Sequence, residues 1–112
     1  MGIPSFRHSL DNVSAPDNWV VLKIVTDDVP LYKVLAGWGG GYLAGDYWRL
    51  NSGISMVFER EDSVDFYGYS GSLYHCRKGS YGLSMITSGI YEELSAGHVE
   101  LMPEDTDWKN LL

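Results

Sequence analysis

A chain of 112 residues with 45% apolar side chains is the size of one domain and holds enough apolar mass for a core. Fifteen acidic residues against eight basic ones give a formal charge of −7; this excludes a general binder of phosphate backbones, which needs clustered Lys and Arg, and leaves open a basic partner or an imitation of nucleic acid. The lone Cys76 excludes an internal disulfide, the scattered His8, His75 and His98 do not have metal-site spacing, and no apolar run approaches a membrane span, so a cytoplasmic protein without metal, cofactor or membrane attachment is expected.

Residues 1–17 read as an arm. Met1-Gly2-Ile3-Pro4-Ser5-Phe6 has no period, Ser14-Ala15-Pro16-Asp17-Asn18 reads as a loop, and Phe6 and Leu10 are the side chains that would pin the arm down. Residues 18–112 form a single β-rich domain. The first strand is expected over 19–26, with Val20, Leu22 and Ile24 inward and Lys23 in water. Asp27-Asp28-Val29-Pro30 turns the chain into a second strand over 32–38, with Tyr32, Val34 and Ala36 inward. Gly39, Gly40 and Gly41 mark a bend or wide loop, and a short strand follows over 47–50.

The clearest alternation comes next. Ile54, Met56 and Phe58 are expected inward, then a hairpin at 60–63, then Val64, Phe66 and Gly68 inward, with Asp65, Tyr67 and Tyr69 outward. Ser70-Gly71 turns into a strand over 72–77, completing a three-stranded meander. A helix near 84–96 carries Ile86, Ile90 and Leu94 at i, i+4 and i+8, flanked by Met85 and Tyr91, with Gly97 as its C-cap. Residues 99–102 suggest an edge strand before an acidic tail, in which Trp108, Leu111 and Leu112 serve as an anchor. The class is mainly β (α+β by strict count): a strongly bent antiparallel sheet or a small SH3- or OB-like barrel of five or six strands with one C-terminal helix.

No reaction motif is present. Cys76 and His75 are neighbours, but adjacent strand residues point to opposite faces, so Cys76 is expected to be a buried hydrophobe beside Tyr74 and His75 a polar cross-strand partner. The run Gly37-Trp38-Gly39-Gly40-Gly41-Tyr42 lacks both P-loop and dinucleotide spacing. The paired carboxylates Asp27-Asp28, Glu61-Asp62, Glu92-Glu93 and Glu104-Asp105 fall on turns, a helix face and the tail, where solvated surface is expected. The signal that remains is aromatic. Of the fifteen Trp, Tyr and Phe residues, eleven lie between Tyr32 and Tyr81. If the strands over 47–50 and 64–69 share a sheet face, Tyr47, Arg49, Tyr67 and Tyr69 form a ring-rich patch, with Tyr42 of the glycine run as a further contact; the other outcome is a helix or arm covering that face.

Trp19-Val20-Val21-Leu22-Lys23-Ile24, Tyr32-Lys33-Val34-Leu35-Ala36-Gly37-Trp38, Trp48-Arg49-Leu50-Asn51-Ser52-Gly53-Ile54 and Gly68-Tyr69-Ser70-Gly71-Ser72-Leu73-Tyr74-His75-Cys76 together resemble small uncharacterised bacterial proteins carried on mobile elements such as phage genomes and integron gene cassettes. The resemblance spans residues 19–91, is one of overall pattern, and transfers no functional residue. It implies an accessory protein acting on something else in the host cell. The expectation is a non-enzymatic module docking a protein partner, or itself as a homodimer, through the aromatic face. The alternative is a small-molecule or nucleotide binder that stacks a base on its rings and meets an anion at the glycine loop. An enzyme using Cys76, His75 or His98 ranks third.

Overall fold

The computed structural model describes residues 13–39 and 47–112. Runs rich in β-branched and aromatic residues form the strands: β1 (Val13–Ser14), β2 (Asn18–Ile24), β3 (Leu31–Trp38), β4 (Tyr47–Leu50), β5 (Ile54–Glu59), β6 (Ser63–Gly68), β7 (Leu73–Arg77) and β8 (Val99–Leu101). One helix, α1 (Met85–Leu94), lies between β7 and β8. The strands make two four-stranded sheets, β1-β7-β6-β5 and β4-β3-β2-β8. Every pair is antiparallel except β1 with β7. The mainly β class stands, but the sheets do not close into a barrel, and the described strands number eight rather than five or six.

The reason lies in β2. Trp19, Val20, Val21 and Leu22 are all buried, so this strand is covered on both faces. Trp19 and Val21 pack with Val34, Ala36, Phe66, Tyr74 and Trp108 between the sheets. Val20 and Leu22 pack with Leu35 on the opposite side, under Ile90, Tyr91 and Leu94 of the helix. The layers therefore run helix, second sheet, first sheet. Single-sided alternation with only Val20, Leu22 and Ile24 inward does not hold, because a second layer buries the odd positions too.

The helix begins at a capping box. Ser84 Oγ accepts from the Thr87 backbone N–H (3.2 Å), and the Ser84 backbone N–H donates to Thr87 Oγ1 (2.7 Å). Met85, expected beside the buried stripe, is almost fully exposed, while Thr87 is buried. Ser95, not Gly97, is the C-cap; the Gly97 N–H donates to the Leu94 carbonyl one step further on.

Three further departures shape the surface. Val13 and Ser14, expected in the arm, pair with Leu73 and Tyr74 of β7. Ser55 is the extra residue of a bulge, because pairing steps from Ile54↔Gly68 to Met56↔Tyr67. One inserted residue reverses the side on which every later residue of β5 points, so Val57 joins the core while Met56 and Phe58 turn outward. At the C-terminus Trp108 is buried against Trp19, Phe66 and Tyr81, and Leu111 packs beside the core, whereas Leu112 is exposed and anchors nothing.

Candidate functional site

Residues directly opposite on paired strands point to the same side of a sheet. Val13 faces Leu73, Leu73 faces Tyr67 and Tyr67 faces Met56, so one apolar row crosses all four strands of the first sheet. The next row is His75, Asp65 and Phe58, and beyond it Arg77 faces Ser63. The alternating positions, Val64, Phe66, Tyr74 and Cys76, are buried between the sheets, so these rows occupy the outer face. The helix covers the other sheet, and Met56 and Phe58 keep 53% and 54% of their surface in water.

An ionic cluster sits among these apolar side chains. The Asp65 carboxylate is only 7% exposed. Its Oδ1 lies 2.6 Å from His75 Nδ1, and its Oδ2 accepts from Arg60 Nη2 at 3.1 Å. Arg60 enters from the β5–β6 turn and lies over the Phe58 ring, 4.6 Å from its centroid. With the carboxylate as acceptor, His75 Nδ1 carries the hydrogen and Nε2 is the open nitrogen of the ring.

Among the described residues this carboxylate–imidazole pair makes no hydrogen bond to a Ser, Thr or Cys side chain. Cys76 is on the core side, and burial pushes its thiol far above the usual range, so no thiolate forms near neutral pH. The folded protein at pH 8 is therefore expected to resist a thiol reagent that labels the urea-unfolded chain completely. Labelling of the folded form at the rate of a free thiol would contradict the burial.

The sequence-predicted site residues do not come together. Tyr47 and Arg49 are on β4 in the second sheet, whereas Tyr67 is on β6 in the first, so the shared face expected for them does not exist. Register places Tyr47 opposite Trp38 and Arg49 opposite Ala36, on the side of the second sheet that faces the first. The Tyr47 ring stacks on Trp38 at 5.0 Å and 7°, although Tyr47 stays half-exposed. Arg49 lies close enough to Tyr74 to oppose the upward push that burial gives the Tyr74 hydroxyl pKa. Tyr69 follows β6, donates its backbone N–H to the Gly53 carbonyl at 3.0 Å and is exposed. Tyr42, Gly40 and Gly41 lie outside the described residues; the Gly39 N–H donates to Asp17 Oδ2 at 2.7 Å. Only Tyr67 belongs to the apolar row. His75 is the cross-strand partner that strand alternation predicts, and Asp65 facing it was legible as an outward residue of β6. Met56, Phe58 and Val13 were not legible, because the bulge and the pairing of β1 leave no periodic signature.

A cleft of about 620 Å³ opens elsewhere, over Trp19, Tyr81 and Trp108, with Glu59, Lys78 and Glu104 on its rim. Trp19 and Trp108 are almost wholly buried and offer little ring face for stacking. Glu59 is engaged by Lys78 at 2.7 Å, a hydrogen bond that holds its carboxyl below the usual range. Among the described residues no group of three His, Cys, Asp or Glu could hold a metal, and no helix is long and apolar enough to cross a membrane. No protein-family model, curated protein or solved structure matches the chain.

Proposed function

We propose that the protein is a non-enzymatic accessory module that works in the cytoplasm and docks a protein partner through the outer face of the first sheet. One observation carries this: the row Val13–Leu73–Tyr67–Met56, with Phe58 beside it, is an apolar strip in cross-strand register with Val13, Met56 and Phe58 exposed. Covering the half-exposed Met56 and Phe58 contributes roughly 1 kcal/mol each from apolar burial alone. The Arg60 guanidinium is held by both Phe58 and Asp65, so little rotamer freedom is lost when a partner meets it.

The occupant is a different protein rather than a second copy. The face presents Arg60 and Arg77 around one carboxylate that is already paired. Two copies face to face would oppose the same cations, and each brings a net charge of −7.

The test is capture from a bacterial lysate followed by titration of the purified candidate. The double variant Met56→Ser/Phe58→Ser is expected to weaken binding at least about tenfold, the loss of a small hot spot, with an unchanged urea midpoint. Tyr47→Ser, on the other sheet, is expected to leave binding intact. Full binding by the double variant would remove the proposal.

A further inference from the structure

This inference rests on the docking role of the outer face and concerns what the partner must carry. We infer that the face selects a segment bearing a carboxylate on an apolar stem, received by the Arg60 guanidinium. Asp65 lies at the centre of the face, but its two oxygens are each taken by a different donor and the carboxylate is 7% exposed. A cationic group arriving from a partner therefore finds no open acceptor at that point. An anionic group finds the unused N–H groups of Arg60. Arg60 uses one of its five N–H groups on Asp65, and its side chain is 52% exposed. His75 spends its Nδ1–H on the same carboxylate, which leaves Nε2 as an acceptor and offers an anion no further donor.

Arg60 is anchored to the Asp65 carboxylate, and its guanidinium lies against the Phe58 ring. A carboxylate docking on the free edge of Arg60 touches that cation directly, while the Asp65 charge stands behind it. Coulomb attraction to the nearer charge wins over repulsion from the farther one. Met56, Tyr67 and Leu73, in the neighbouring row, supply the floor for the apolar stem. Arg77 on the same face adds a second positive charge, which strengthens the preference for an anion.

The probes are 3-phenylpropionate, 3-phenylpropan-1-ol and 3-phenylpropan-1-amine, titrated into the full-length ¹⁵N-labelled protein at constant ionic strength. All three are expected to shift the amides of Met56, Tyr67 and Leu73. The carboxylate is expected to bind about tenfold tighter than the alcohol, the size of one charge-assisted hydrogen bond. Arg60→Met should erase that margin and leave the alcohol unchanged. Arg60 is half-exposed in a turn, so Arg60→Met retains the fold, which its amide spectrum checks directly. Equal affinity for carboxylate and alcohol, tighter binding of the amine, or an undiminished margin in Arg60→Met would overturn the inference while leaving the apolar docking role standing. No shift on the face from any of the three probes would remove both.

Discussion

Trp108→Ala is expected to destabilise the protein by about 3–5 kcal/mol, the cost of emptying a fully packed indole site. Trp108 follows the acidic stretch 103–107 and reads in the sequence as an anchor onto the body. Its ring sits 5.4 Å from Trp19 of the second sheet and 5.7 Å from Phe66 of the first, edge-on to Phe66 at 89°. It therefore joins the two sheets. The flanking backbone is tied to β5, since the Lys109 N–H donates to Glu59 Oε1 at 2.9 Å. Against the 5–15 kcal/mol that typically holds a domain folded, such a loss leaves the protein close to its unfolding threshold. Equilibrium urea unfolding measures it. A loss under about 1 kcal/mol, the range of ordinary surface substitutions, would mean that the C-terminal segment is not part of the core. Trp19 touches Trp108, so the double Trp19→Ala/Trp108→Ala variant should cost less than the two single losses added together, because the second substitution enlarges a cavity already made.

The second large effect is at the crossing between the sheets. Gly53 links β4 to β5 with φ at +131°, a conformation in which any Cβ is strained. A Cβ there would also stand 2.9 Å from Tyr69 Cδ2 and 3.0 Å from Leu31 Cδ1. The Tyr69 ring is exposed and has room to swing away, so the backbone conformation carries most of the cost. Gly53→Ala is expected to lose about 1–3 kcal/mol, and Gly53→Val more, because a branched side chain tolerates positive φ still less. Tyr69→Ser in the same assay is expected to change the urea midpoint little. If Gly53→Ala melts like the parent protein, the crossing is not held in this conformation.

The two sets of variants separate folding from docking. Trp108 and Gly53 act on the join between the sheets, and their loss is read in stability. Met56, Phe58 and Arg60 act on the outer face of the first sheet, and their loss is read in binding. The placement of Tyr47 and Arg49 follows the same logic. Their side of β4 turns toward the first sheet, so Arg49, although exposed, approaches Tyr74 and not the outer face of the first sheet.

Sequence alone was enough to locate most of the strands and the helix, because alternation and the 3.6-residue period are properties of neighbouring residues. It was enough for the hairpin β5–β6 and the turn at Gly71, whose φ of +93° needs glycine. It was enough for Cys76 and His75, because opposite faces follow from adjacency in a strand. The unbroken apolar run Trp19-Val20-Val21-Leu22 already carried the mark of a strand covered on both faces. Which strands share a sheet was decided only in three dimensions. β4 pairs back onto β3 while β6 pairs with β5 and β7, so the chain changes sheets between β4 and β5, and local pattern does not mark where one sheet ends and the next begins. The bulge at Ser55 was equally hidden: a single extra residue leaves composition untouched and exchanges the buried and exposed sides of everything after it. That reversal put Met56 and Phe58 on the outside, and with them the face on which the proposed docking depends.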